Sequence, residues 1–330
     1  MTSRRTFVKK SSMAGLATVI TPALIQSEPL AVKKIGMIGL DTSHSPAFTK
    51  LINSDQPAFK GYQVTHAYPQ GSKKIESSYS RIPRYIEEVK GFGVEIVESI
   101  DDLLQKVDYV LLETNDGTIH LEQARPVLKA GKPVFIDKPV AAGFDDVVQI
   151  YQMAEDLKVP IFSSSSLRYM SSFDQLNEKV GKVVGCDAFS PASLQEDHTD
   201  LYWYGIHGVE ILFTTMGKGC RKVSRTFTDD TDFVVGTWED GRIGTFRGKR
   251  SGKHDYGGIA HGTEGTMNLG PYDGYGNLVE KIIKFFETGK PPVDPEETIE
   301  IYAFMSAADE SKAKGGAEIS LEPYLNKFQS

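Results

Sequence analysis

The stretch Ile35-Gly36-Met37-Ile38-Gly39-Leu40-Asp41-Thr42-Ser43-His44 decides the fold. An apolar run closes on a glycine and opens into a polar turn, which is the form of a first βα turn in a nucleotide-binding sheet. A full dinucleotide fingerprint, G-x-G-x-x-G, would place glycines at 39, 41 and 44. Only Gly39 is present; Asp41 and His44 occupy the other two places. The second glycine lets a diphosphate approach the backbone, so a side chain there obstructs it and a carboxylate repels it. The helix that follows still offers an N-terminus that favours anions. Capping of that helix by Asp41 or Ser43 is the alternative use of these residues.

Outward from this turn, strands alternate with helical patterns as far as residue 166. The strands are expected at Val32–Gly39, Tyr62–Tyr68, Val94–Val97, Tyr109–Thr114, Val134–Asp137 and Ile161–Ser164. Most are apolar nearly throughout, as strands covered on both faces are. Helices are expected at Ser45–Asn53, Ser99–Lys106, His120–Ala130 and Phe144–Leu157. Ser99 with Asp102 three residues on forms an N-cap signature, and Gly131 follows the third helix as a C′ glycine. The pattern predicts an α/β fold with a Rossmann-like, doubly wound parallel sheet. Beyond it, strands at Val183–Leu194, Lys222–Thr228, Asp232–Trp238 and Ile243–Gly248 predict an α+β domain with a largely antiparallel sheet. Glu239-Asp240-Gly241 joins the last two as a hairpin. Helices near Tyr204–Met216, Leu278–Thr288 and Glu296–Lys314 and a short strand near Ile319 complete it. The expected organisation is a leader and linker (1–31), a Rossmann-like nucleotide-binding domain (32–166) and a C-terminal α+β domain (167–330).

The 330 residues are 40% hydrophobic and 25% charged, normal for a soluble globular protein. The net charge of −7 hides an asymmetry. Residues 1–27 hold Arg4, Arg5, Lys9 and Lys10 and no acid, leaving 33 basic against 44 acidic side chains in the body. That balance disfavours nucleic acid and anionic membrane as partners. Ser3-Arg4-Arg5-Thr6-Phe7-Val8-Lys9 matches the twin-arginine export pattern, so a periplasmic or other extracytoplasmic location is expected. The apolar stretch from Ser11 to Ile25 is short of the roughly 20 residues that span a bilayer. Cys186 and Cys220, the only cysteines, exclude a zinc–thiolate cluster by number; they could pair or remain two buried thiols.

Ligands on doubly wound sheets bind beyond the carboxyl ends of the strands. The second strand ends Pro69-Gln70-Gly71-Ser72-Lys73-Lys74, without the acid that would hold ribose hydroxyls; Ser72 and Lys73 suit a 2′-phosphate better, or the loop is simply solvated. The fourth leads into Glu113-Thr114-Asn115-Asp116-Gly117-Thr118-Ile119-His120, and the fifth ends Asp137-Lys138-Pro139. A lysine at such a strand end can lose its proton when desolvated, or its ammonium can polarise a substrate oxygen.

These residues resemble the Gfo/Idh/MocA family, named for glucose–fructose oxidoreductase, inositol dehydrogenase and MocA. Its fifth strand ends Glu-Lys-Pro with a catalytic lysine, which Asp137-Lys138-Pro139 matches. Asn115 and His120 resemble the asparagine and histidine after the family's fourth strand, and Leu167-Arg168-Tyr169 its arginine–aromatic pair. Glu296–Gly316 with Glu318-Ile319-Ser320-Leu321 resembles its closing helix and strand. The family's D-x-x-x-H pair is present only as His207, with Trp203 in the acid's place.

The resemblance implies an NAD- or NADP-dependent oxidoreductase acting on a sugar or polyol, with Lys138 and His207 catalytic. Gly39, Asp41, Thr42, Ser43, Asn115, His120 and Asp137 would lie at the cofactor, and Arg168, Tyr202, Trp203 and Glu210 at the substrate. A homo-oligomer built on the open second sheet is implied as well. The lost glycines leave two alternatives standing. One is a redox-neutral carbohydrate lyase or hydrolase holding a divalent metal, with His44, Glu113 and His120 as candidate ligands. The other is a sugar-binding protein without catalysis.

Overall fold

The computed structural model describes residues 32–329. The twin-arginine pattern and the apolar stretch after it lie outside the described residues. From Val32 onward the chain forms one compact unit built on two sheets.

The first sheet contains β1 (Lys33–Ile38), β2 (Tyr62–Tyr68), β3 (Glu95–Ile96), β4 (Tyr109–Leu112), β5 (Val134–Ile136) and β6 (Ile161–Phe162). All pairings are parallel, in the order β3-β2-β1-β4-β5-β6. The order reverses between β1 and β4, which opens a crevice at their carboxyl ends. Helices cover both faces, so Ile35, Met37, Leu111, Leu112, Val134 and Phe135 are all fully buried. That burial explains the continuous apolar runs in the sequence.

Several strands stop one to three residues before their apolar runs predict. Gly39, Glu113-Thr114 and Asp137-Lys138 leave the ladder and turn toward the crevice. Gly39 has φ +88°, and a Cβ there would lie 2.4 Å from Thr114 Oγ1. The first fingerprint glycine is therefore required by the close approach of two loops. Ser99 caps its helix as predicted, accepting from the Asp102 amide at 3.0 Å. Helices at Glu76–Tyr79 and Ile82–Gly91 were not expected from the sequence, although Ile82, Tyr85 and Val89 lie at helical spacing on one buried face.

The second sheet contains β7 (Val183–Pro191), β8 (Cys220–Phe227), β9 (Thr231–Trp238), β10 (Ile243–Lys249), β11 (Gly257–Gly262), β12 (Thr266–Leu269) and β13 (Ile319–Ser320). Its order is β12-β11-β7-β10-β9-β8-β13, antiparallel except between β7 and β10. The β9–β10 hairpin turns through Glu239-Asp240-Gly241, with Gly241 at φ +86°. Strands β11 and β12 escape sequence reading because glycines at 257, 258 and 262 dilute their apolar alternation. Helices Ile206–Met216 and Pro295–Ala313 pack against this sheet. Cys186 on β7 and Cys220 on β8 are separate buried thiols; burial pushes Cys186 up to about 12. Among the described residues no helix is long and apolar enough to cross a membrane.

Candidate active site

Loops from both sheets enclose a cavity of about 370 Å³. Thr42, Ser43 and His44 reach it from the β1 turn, Asn115 from the end of β4, and Lys138 from the end of β5. His207, at the start of helix Ile206–Met216, closes it from the side of the second sheet. Lys138 is only 6% exposed, and no hydrogen bond or ion pair among the described residues engages its Nζ. The Lys138–Pro139 peptide is cis.

His207 is held from behind. Its Nδ1 lies 2.7 Å from Ser165 Oγ, while Nε2 has no partner among the described residues. The Ser165 amide donates to Glu210 Oε1 at 3.2 Å. Glu210 in turn accepts from Arg168 Nε at 2.5 Å, and Arg168 Nη1 donates to Glu297 Oε1 at 2.6 Å. Burial holds the His207 ring well below the usual histidine range, and the nearby Lys138 and His44 act in the same direction. The ring is therefore held neutral, with Nε2 unpartnered among the described residues.

Three expected substrate contacts lie elsewhere. Arg168 and Glu210 pair with each other behind Ser165 and do not line the cavity. Their opposite charges, once buried, are satisfied by mutual pairing. Tyr202 is fully buried, with its hydroxyl on Ser306 Oγ at 2.7 Å and the Tyr302 carbonyl at 3.2 Å. Trp203 does line the cavity. The sequence reading missed Tyr256, Tyr272 and Tyr275, which form an aromatic wall with Tyr204. Tyr204 and Tyr256 share a hydrogen bond of 3.0 Å, and both rings meet His207 edge-on. Their signal was the tyrosine–glycine clustering at Asp255-Tyr256-Gly257 and Tyr272-Asp273-Gly274-Tyr275, in loops whose return to the crevice only folding reveals.

The expected cofactor residues divide. His120 is fully buried, with Nε2 2.6 Å from the Thr114 carbonyl and Nδ1 3.1 Å from that of Val140. It ties the β4 loop to the β5 loop, and both its ring nitrogens are taken by backbone carbonyls. Asp137 is buried beside His44, its Oδ2 2.7 Å from Nδ1. Burial pushes Asp137 up, but His44 and Lys138 outweigh it and hold the carboxyl below its usual range. The candidate metal cluster is thereby corrected: His44 and Glu113 meet Asp137, not His120.

Asp41 caps no helix, nor does Ser43. The Asp41 carboxylate accepts the amides of Ser72 at 2.8 Å and Asn115 at 2.9 Å. It therefore staples the β2 loop to the β4 loop. A Cβ on Gly71 would come within 2.1 Å of Asp41 Oδ2, which shows how closely the loop is drawn in. Ser72 is buried and donates to Asp116 Oδ2 at 2.8 Å, so its hydroxyl is not presented to a phosphate. Lys73 and Lys74 remain exposed beside a second cavity of about 400 Å³, at the ends of β2 and β4.

A parallel sheet with a crevice at its switch point, joined to a mostly antiparallel sheet whose packed helix supplies a histidine to the same cavity as a strand-end lysine, defines the class: a two-sheet Rossmann-like protein. Residues 33–165 match the GFO_IDH_MocA family model, described as an oxidoreductase family with an NAD-binding Rossmann fold. Over that domain the chain is similar to the NAD-binding domain of this oxidoreductase family. Among solved structures it is similar to GenD2 from gentamicin A biosynthesis in complex with NAD, at TM-score 0.72 and 17% identity, covering 89% of this chain and 97% of that one. It is similar also to scyllo-inositol dehydrogenase from Lactobacillus casei with NAD(H) and scyllo-inositol, at TM-score 0.71 and 15% identity, covering 88% and 99%. The myo-inositol dehydrogenase of the same organism aligns at TM-score 0.68 and 15% identity, covering 88% and 96%. At these identities the likeness is one of fold. An uncharacterized protein of Saccharomyces cerevisiae is 29% identical over 100 residues, which span 29% of this chain and 28% of the yeast protein.

Proposed function

We propose that this chain oxidises or reduces a sugar or polyol with a bound NAD or NADP. The observation that carries the reading is the pairing, in one cavity, of a Lys138 Nζ without a partner among the described residues with a neutral His207 whose Nδ1 is already fixed. Lys138 would orient the reacting hydroxyl and favour its developing negative charge. His207 would take the hydroxyl proton at Nε2, which needs the tautomer in which Nδ1–H donates to Ser165. The nicotinamide would supply the hydride acceptor. Tyr204, Tyr256 and Tyr272 would pack on the apolar face of a sugar ring.

The residues fit the two ends of a dinucleotide. The Lys138 cavity suits the nicotinamide with a small polyol, and the cavity beside Lys73 and Thr118 suits the adenosine end. Thr42 and Ser43, ahead of helix His44–Ile52, would hold the diphosphate. In this reading residues 32–166 bind the cofactor and 167–330 supply the substrate-facing and assembly surfaces. The Arg4-Arg5 pattern supports export, which requires the cofactor to be loaded beforehand and retained. The outer face of the second sheet exposes Val184, Ile243 and Ile259, which supports a homo-oligomer; a monomeric mass in solution would count against it.

The Asp41 staple favours a second reading, a redox-neutral lyase or hydrolase using the same Lys138 and His207. One experiment separates them. Protein folded in the cytosol is denatured, and its extract is assayed for NAD and NADP. Nicotinamide in the extract, or saturable binding of added NAD(P), upholds the first reading; neither leaves the second.

A further inference from the structure

We propose that His44, Glu113 and Asp137 bind one divalent transition-metal cation, of the Mn²⁺ or Zn²⁺ kind, on the floor of the Lys138 cavity. The three side chains leave the carboxyl ends of β1, β4 and β5, and one ligand atom from each lies within 4.8 Å of the others. His44 Nδ1 is 2.7 Å from Asp137 Oδ2 and 4.0 Å from Glu113 Oε2.

The cluster has an unmet demand. Glu113 is fully buried, and among the described residues neither of its oxygens has a hydrogen-bond partner. Asp137 Oδ1 is equally orphaned. Protonating Glu113 does not settle the account, because its proton would also lack an acceptor among the described residues. Native interiors pair nearly all such atoms, so two carboxylates aimed at one imidazole call for a ligand. A cation answers on charge as well: among the described residues Lys138 is the one positive side chain set against both carboxylates.

The donor set selects the kind of cation. Two carboxylates and one imidazole leave coordination positions open and suit first-row divalent ions better than Ca²⁺ or Mg²⁺, which favour all-oxygen sites. The imidazole is held for the purpose, stacked on Phe48 at 5.2 Å and met edge-on by Tyr275 at 4.8 Å. His44 and Lys138 line the cavity while the carboxylates lie beneath it. The open positions would therefore face the cavity, where the vicinal oxygens of a polyol could complete the shell. The inference does not depend on whether a nicotinamide binds.

The test uses the full chain, stripped with a chelator and titrated with MnCl₂ alone, then with ZnCl₂ alone. Calorimetry or electron paramagnetic resonance should show a single site and a melting temperature that rises with the metal. Glu113→Gln keeps the shape and should weaken binding at least about tenfold, as should His44→Gln, since even outer partners of metal ligands cost that much. His44, at the cavity wall, covers the case in which the Glu113 variant fails to fold. No stoichiometric binding at millimolar metal would mean that a buried water satisfies the carboxylates, and overturns the proposal. Binding of equal strength in the variants would place the ion elsewhere and overturns it too.

Discussion

Ser165 Oγ lies 2.7 Å from His207 Nδ1, and the Ser165 amide donates to Glu210 Oε1, so one residue links the histidine to a buried ion pair. The link fixes the ring by the backbone of one sheet's exit loop and the side chain of the other sheet's helix. Replacing His207 by Asn should lower kcat by about 10²–10⁴-fold on any polyol the protein turns over. Ser165→Ala leaves the ring in place but loosens its tautomer, and should cost up to about tenfold, near the worth of one hydrogen bond. Steady-state kinetics on both variants check this; equal losses would show that Ser165 does more than position.

Lys138→Met removes the ammonium and retains most of the stem. A loss of about 10²–10³-fold in kcat/KM is expected, the scale for one donor to a developing oxyanion. Ligand binding without turnover in the variant, followed by calorimetry, would separate orientation from charge stabilisation.

Arg168→Met leaves Glu210 buried without its cation. The cost is expected at about 3–5 kcal/mol, the penalty for breaking a buried pair from one side. Chemical denaturation measures it. Activity should fall in the same variant, because Glu210 holds the Ser165 amide; unchanged kcat in folded protein would sever the link.

Asp41→Gly restores the second fingerprint glycine and leaves the Ser72 and Asn115 amides unpaired. Stability should drop by about 1–3 kcal/mol, the cost of orphaned buried donors. Affinity for NAD or NADP should rise, because the carboxylate no longer closes the crevice. Paired denaturation and cofactor titrations read both effects.

His207 refuses a proton that the unfolded chain accepts below about pH 6.5. Its contribution to stability is therefore present above that pH and lost as pH falls. His207→Asn lacks this penalty. Relative to wild type it should gain stability as pH drops from 6.5, by at most about 1.4 kcal/mol per unit. Denaturant midpoints at pH 7.5 and pH 5.5 for both proteins decide the matter, and parallel pH profiles would refute a buried neutral ring.

Much of the site was legible before folding. Lys138 stood out because an apolar strand must end somewhere, and its first polar residues enter the crevice. Gly39 was marked by the glycine spacing of the first turn, and His207 only by the family resemblance. Arg168, Glu210 and Tyr202 were misplaced because adjacency along the chain does not tell which way a side chain turns at a junction. The buried charges turned to one another, as desolvation requires. The tyrosines of the loops around β11 and β12 were missed because glycine-rich strands carry little periodic signal.

By itself, then, the sequence determined the parallel sheet, the antiparallel sheet after it and the lysine at the crevice. These follow from local periodicity and from the rule that ligands meet strand ends. Tertiary structure alone decided what the altered fingerprint does. Asp41 reaches 31 residues ahead to Ser72 and 74 ahead to Asn115, and His44 reaches 93 ahead to Asp137. Such pairings depend on which loops the folded sheet brings within a hydrogen bond of each other, and no short window of sequence contains them.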